Sequence, residues 1–207
     1  MFAFMKPYDV ENGRKAEHEV DKVFLERWSP RSLGPDMSEE ELMTLFEAAR
    51  WTPSSSNGQP WRFLYAKNGS EGWELFFNLL VDFNKLWCKN AGFLIVLLSR
   101  KNFEPNEKGE EKEDAQHSFG AGSAFMSLSL QARLKDLVVH GMAGFDYEKA
   151  KKELGVPDNY QIDCMIAVGK QGEIEEFPER MQKSEKPNSR KKVYEIIAKG
   201  RFPEIWS

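Results

Sequence analysis

Ala48-Ala49-Arg50-Trp51-Thr52-Pro53-Ser54-Ser55-Ser56-Asn57-Gly58-Gln59-Pro60-Trp61-Arg62-Phe63 joins the end of a helix to the start of a strand. Pro53 and Pro60 fix the backbone at both ends of the connection and remove donors there. Between them Ser54, Ser55, Ser56, Asn57 and Gln59 place donors and acceptors in one short loop. Trp61, Arg62 and Phe63 then open an aromatic strand. Ser, Asn, Gly and Pro by themselves describe a polar surface turn. A loop this polar, held between large apolar residues, makes best sense when something flat, with polar edges, lies against it.

Upstream, Ser38-Glu39-Glu40-Glu41 forms a capping box, with Ser38 as the N-cap and Glu41 three residues on. Leu42, Leu45, Phe46 and Ala49 follow at i, i+3, i+4 and i+7 and make one apolar helix face. A short helical pattern from Ala16 carries Val20, Val23 and Phe24, and residues 1–15 read as an N-terminal extension. Downstream, Trp61 to Ala66 is a strand, Lys67-Asn68-Gly69-Ser70 a turn, and Trp73 to Val81 a helix with Trp73, Phe76, Phe77 and Leu80 inward. Phe93 to Leu98 is uninterrupted apolar sequence, which implies an interior strand buried on both faces. Arg100 to Asp114 is polar and patternless, either a disordered surface loop or a lid.

A long helix is expected from about Ala115 to Leu137, and its first half is packed with Gly120, Ala121, Gly122, Ser123 and Ala124. Glycines weaken a helix locally and are tolerable where another backbone comes close. That leaves two readings, a dimer-forming helix and a tight crossing within the chain. After Val138-Val139-His140 and a glycine turn, Asp146 caps a helix from Tyr147 to Leu154, which Gly155 and Pro157 stop. Cys164 to Val168 is a second buried strand, and Glu173 to Lys186 is a polar connection. A last pattern of Val193, Tyr194, Ile196 and Ile197 leads to an apolar tail with Phe202, Ile205 and Trp206. Helices and strands alternate, so the class is α/β or α+β, with helices packed on a central sheet.

With 207 residues the chain has enough for one good core and too few for two comfortable domains. A net charge of -4 gives no reason to expect nucleic acid or an anionic membrane as partner. The apolar run Phe93–Leu98 is too short to cross a bilayer, and the opening residues do not form a signal peptide. Cys88 and Cys164 lie in apolar sequence, as buried thiols of a reducing compartment do, and a cytoplasmic location follows as an expectation.

Arg27-Trp28-Ser29-Pro30-Arg31 sets two guanidiniums around a hydroxyl. Arginine suits planar, bidentate capture of phosphate or carboxylate, and an adjacent serine adds a donor. The competing reading is a solvated basic turn before a proline. No glycine-rich dinucleotide loop, Walker loop or nucleophile elbow is present, and no Cys or His cluster has metal spacing. His140, beside an apolar strand, fits a structural histidine better than a base. If the protein is an enzyme, a cofactor supplies the reactive group.

In this order the motifs resemble the FMN-dependent nitroreductase family. The resemblance rests on Arg27-x-Ser29-x-Arg31; on Pro53-Ser54-Ser55-Ser56-Asn57-Gly58-Gln59-Pro60-Trp61 after the helix; on Gly144-Phe145-Asp146 with Leu154-Gly155-Val156-Pro157; and on the late Ser189-Arg190. The family implies an α+β fold with a central mixed sheet flanked by helices, in one domain spanning 1–207, and an intertwined homodimer. In that dimer a C-terminal arm, 187–207, packs on the partner subunit. It implies hydride transfer from NADH or NADPH through FMN to a nitroaromatic, quinone or similar small-molecule acceptor, in a ping-pong cycle. The alternative is a flavin-binding storage or sensor protein without efficient turnover.

Carried over residue by residue, Arg27, Trp28, Ser29, Arg31 and Arg190 would hold the FMN phosphate and ribityl chain. Pro53, Ser54, Ser55 and Asn57 would reach the flavin from the other subunit. Ala143 and Gly144 would present backbone N–H groups near the flavin N5 edge, and Asn84 would contact the isoalloxazine or nicotinamide edge. The chain departs from the family where a second basic residue often precedes the late arginine: Asn188 stands near that place, and the usual proline after it is missing.

Overall fold

The computed structural model describes residues 13–175 and 177–206. Residues 1–12 of the expected N-terminal extension therefore lie outside the described residues, as does the side chain of Ile205 in the tail. Strands β1 (Leu33–Gly34), β2 (Trp61–Lys67), β3 (Phe93–Arg100), β4 (Leu137–Met142) and β5 (Tyr160–Gln171) form one sheet. Helices α1 (Lys22–Glu26), α2 (Glu39–Arg50), α3 (Trp73–Phe77), α4 (Asp82–Cys88), α5 (His117–Leu134), α6 (Tyr147–Glu153) and α7 (Glu179–Ser184) cover it.

β5 is the spine of the sheet. It pairs with β3 and, at its far end, with β1, while β4 pairs with it on the opposite side; β2 pairs with β3. Every one of these pairings is antiparallel, so the mixed sheet expected from the family is, among the described residues, an antiparallel one. Alternating helices and strands suggest crossover units with parallel strands. Here α3, α4 and α6 sit inside wide hairpins instead, while α5 carries the chain from β3 across β5 to β4, both of which run antiparallel to β5. Lys67 pairs with Phe93, so α3 and α4 return the chain beside the end of β2, and Met142 pairs with Met165 across the turn that holds α6.

The reading of β3 as an interior strand holds residue by residue. Phe93, Ile95 and Leu97 pack on the face covered by α2 and α5, with Leu42, Leu45, Ala121, Ala124 and Leu128. Leu94, Val96 and Leu98 pack on the other face with Trp73, Phe76, Trp87, Met142 and Met165. The capping box forms as expected: Ser38 Oγ accepts from the Glu41 N–H at 3.2 Å, and the Ser38 N–H donates to Glu41 Oε2 at 2.8 Å. Asp146 caps α6, and Gly155 follows that helix with φ +65°.

Several expectations need correction. The helix from Ala16 is confined to Lys22–Glu26, and Val20 and Phe24 are exposed while Val23 alone is buried. The helix expected from Trp73 to Val81 ends at Phe77, because Leu80 leaves it to bridge Phe145 and the Val81 N–H donates to the Gly144 carbonyl. α4 then starts at Asp82, where sequence periodicity gave no helix. The polar connection 173–186 contains α7, anchored by buried Phe177 and Met181. The 100–114 stretch is ordered: Arg100 pairs with Glu104 and Glu111, and Asn102 bridges Glu113.

The small residues of α5 divide between the two readings. Gly120 lies against Pro60, whose Cγ would stand 3.0 Å from an added Cβ, and Ala121 and Ala124 are buried within the chain. Gly122 has nothing within 4 Å of the same construction, and Phe119 is 75% exposed.

Candidate functional site

A cleft of about 370 Å³ lies where α1 ends, β1 begins and α7 runs out. It brings together Arg27, Trp28, Ser29, Arg31 and Arg190, the residues expected at a phosphate. Asp21 starts this arrangement by capping α1, its Oδ1 accepting from the Val23 N–H at 2.9 Å. Arg27 ends the helix: its N–H donates to the Val23 carbonyl at 2.9 Å and its backbone turns extended, which sends the next four residues along the cleft.

The far wall is fixed by Glu185, whose side chain is 3% exposed. It accepts from the backbone N–H of Arg31, and from the N–H of Ser32 at 2.8 Å, and its other oxygen lies 3.7 Å from the Arg31 guanidinium. His140 on β4 closes the floor. Its Nδ1 lies 2.9 Å from the Pro30 carbonyl. A carbonyl can only accept, so Nδ1 carries the proton there. Burial pushes the His140 pKa down, the Pro30 bond partly opposes this, and the Arg31 charge adds to it.

Five cationic side chains, Arg14, Arg27, Arg31, Lys186 and Arg190, face one carboxylate in this cleft, Glu185. Burial, and after it the charge of Arg190, hold the Arg27 pKa below its ordinary value. Arg14 is shifted the same way, by burial, then Arg190, then Arg27. Arginine stays charged regardless, so the shifts reflect burial first and, after it, the closeness of like charges. Arg14 and Lys186 were not foreseen: Arg14 falls in the patternless N-terminal stretch, and Lys186 in what reads as a polar connection.

From His140 a wall of packed groups leads to the Ala143–Gly144 turn. Trp87 packs against His140 with ring centroids 4.5 Å apart and the planes tilted by 43°. Trp87 donates its indole N–H to Asn84 Oδ1 at 3.2 Å, and Asn84 Nδ2 donates to the Gly144 carbonyl at 2.9 Å. Asn84 is thus buried and holds the turn in place. A Cβ on Gly144 would stand 2.6 Å from Asn84 Nδ2, so the close approach requires glycine. The N–H groups of Ala143 and Gly144 donate to nothing among the turn and loop bonds of the described residues.

The 54–60 loop lies elsewhere. Asn57 lines a second cleft of about 430 Å³ with Gln59, Arg62, Phe103 and Glu104. Pro53 and Ser55 are exposed, and Ser54 Oγ accepts from the Gln59 N–H at 2.9 Å. None of these loop residues lines the arginine cleft of the same chain. The loop backbone is strained: Ser56, Asn57 and Gln59 hold φ of 47°, 56° and 46°, a region that favours glycine and tends to mark binding sites.

A solved structure described as an oxidoreductase containing FMN superposes with a TM-score of 0.89 at 39% identity, covering 93% of this chain and 98% of its own. Protein DrgA of Synechocystis is 28% identical over 177 residues, 72% of this chain and 82% of that protein. A shorter relative, an uncharacterised 15.4 kDa protein of Mycolicibacterium smegmatis, is 29% identical over 98 residues, 46% of this chain and 66% of its own length. The model of the nitroreductase family matches residues 25–72 and 67–170, so Arg14 lies ahead of the matched stretch. That match covers most of the chain, which belongs to the nitroreductase family.

Proposed function

We propose that the protein is an FMN-dependent oxidoreductase that takes hydride from NADH or NADPH and passes it to a small-molecule acceptor such as a nitroaromatic or a quinone. The observation that carries this reading is the arginine cleft. Four guanidiniums and a lysine crowd there around one acid, Glu185, which is already engaged by the backbone of Arg31 and Ser32. A phosphate monoester dianion fits such a donor set. The likeness to an FMN-containing oxidoreductase at 39% identity supports the choice of anion.

When bound, FMN supplies reversible acceptance of a hydride. The chain's own residues do the rest. Arg27, Arg31 and Arg190 hold the phosphate by charge, Ser29 adds a hydroxyl donor, and Trp28 lines the passage along the ribityl chain. Ala143 and Gly144 present backbone N–H groups to the ring edge, and a donor there favours the electron-rich reduced state. Asn84 keeps that turn from drifting through its bond to the Gly144 carbonyl. His140, neutral and hydrogen-bonded to Pro30, keeps the floor shaped without adding a charge.

The 54–60 loop enters the site in the homodimer: Pro53, Ser54, Ser55 and Asn57 of one subunit reach the cofactor of the other. The exposed apolar residues of the C-terminal arm support this assembly, with Tyr194, Ile196, Ile197 and Phe202 each more than half exposed in the single chain. A ping-pong cycle, with reductant and acceptor reacting in turn, would be the order of such an exchange. We place the protein in the cytoplasm: both thiols are free, Cys88 buried and Cys164 half-buried. No helix among the described residues is long and apolar enough to cross a membrane.

The test is spectroscopic. The fresh protein should be yellow, NADPH or NADH should bleach it without oxygen, and a quinone or nitroaromatic should restore the colour. Bound flavin that reduced nicotinamide leaves oxidised would overturn the enzyme reading in favour of a flavin-storage role.

A further inference from the structure

We infer that Arg14 is an additional phosphate-binding residue of the cleft, donating its unengaged Nη2 to the phosphate of bound FMN. This deepens the function proposed above and rests on it. Arg14 is the one half-buried residue in the stretch 13–22, where every other residue is exposed. A surface segment that turns a single guanidinium inward needs a reason. Part of the reason is structural: Nε donates to the Asn188 carbonyl at 2.8 Å, and Nη1 donates to the carbonyls of Leu25 at 3.0 Å and Arg27 at 2.7 Å. Those bonds fix the plane of the guanidinium and leave Nη2 buried without a partner.

A buried, unpaired donor on a cation is costly, more so than a neutral one. The same group sits beside Arg27 and Arg190, and the one carboxylate among the described residues of the cleft, Glu185, is engaged by Arg31. An anion in the cleft removes both costs at once, by accepting from Nη2 and by separating like charges. Asn188, through its carbonyl, anchors Arg14 in the cleft that Arg190 also lines.

The experiment titrates the apoprotein with FMN and, separately, with riboflavin, which differs by the phosphate alone. Flavin fluorescence is the readout, and unfolding curves check that each variant is folded. Arg14→Ala and Arg14→Met should weaken FMN binding about ten- to a hundredfold and change riboflavin binding by less than about twofold. The methionine variant keeps the apolar stem in case the alanine variant does not fold. Arg27→Ala serves as the reference for the cleft. If Arg27→Ala loses FMN and the Arg14 variants do not, the inference fails while the proposed function stands. If the Arg14 variants lose FMN and riboflavin equally, Arg14 only braces the two chain segments, and the inference again fails. If neither position matters to FMN, the cleft is not the phosphate site and both readings fall.

Discussion

Single side chains make up the arginine cleft, and several of them stand out in the sequence. Arg27, Ser29 and Arg31 announced themselves because a short string of guanidinium and hydroxyl groups needs no distant partner to be recognised. Replacing Arg27 or Arg190 with alanine should weaken FMN retention by about 1.5–3 kcal/mol for each charged hydrogen bond lost, as measured by equilibrium titration. Arg14 was not readable, because nothing in residues 13–22 shows periodicity and its role arises only when Asn188 folds against it. His140 was read as structural, and the structure adds that it floors the cleft.

His140 also makes a pH prediction. Its folded pKa lies below the ordinary value of 6.5, chiefly through burial. Below about pH 6.5 the unfolded chain takes up a proton that the folded chain resists, so stability falls as the pH falls and is unaffected above that value. Denaturant midpoints of the apoprotein across that range should show the decline, and His140→Gln should flatten it.

At the level of helices and strands, local signals were reliable where they were complete. The capping box on α2 has both halves, and it forms. Ser38→Ala should cost about 0.5–2 kcal/mol of stability, read from thermal or denaturant unfolding. β3 was legible because six consecutive apolar residues leave no solvent face. α3 and α4 were not, since Phe76, Phe77 and Leu80 keep a helical period while the chain leaves the helix to meet Phe145. The driving contact there is 65 positions away in the chain, beyond any local pattern. The same break is what sets Asn84 beneath Gly144, so an element missed in the sequence positions a candidate site residue. α7 escaped for a similar reason: Phe177 and Met181 are too few to show a period, and they are buried by joining the core cluster on one face of the sheet.

For the molecule as a whole, the sheet with helices on both faces was evident, but the direction of its strands was not. Alternating elements fit parallel crossovers and wide antiparallel hairpins alike, and only the register distinguishes them. The overall charge of -4 also hid a local concentration of positive charge in the cleft. Phe119 and Leu134 on α5 are 75% and 66% exposed, and Ile197 on the arm is 60% exposed. A homodimer that buries these groups should dissociate when Phe119 or Ile197 becomes aspartate. Sedimentation should then report monomers, and flavin should be lost together with the dimer. Monomeric wild-type protein that retains flavin would refute the shared site.

The arginine cleft is made from the two ends of the chain, with Arg14 held by the carbonyl of a residue 174 positions later. During synthesis the early arginines leave the ribosome long before their late partners exist. An anion bound in the cleft would therefore act only after the segments around Arg14 and Arg190 have both been made, fastening parts of the chain that are far apart in sequence. If flavin binds there as proposed, a chain lacking Arg190 should hold it poorly, and the loss of colour would report the loss of that late segment.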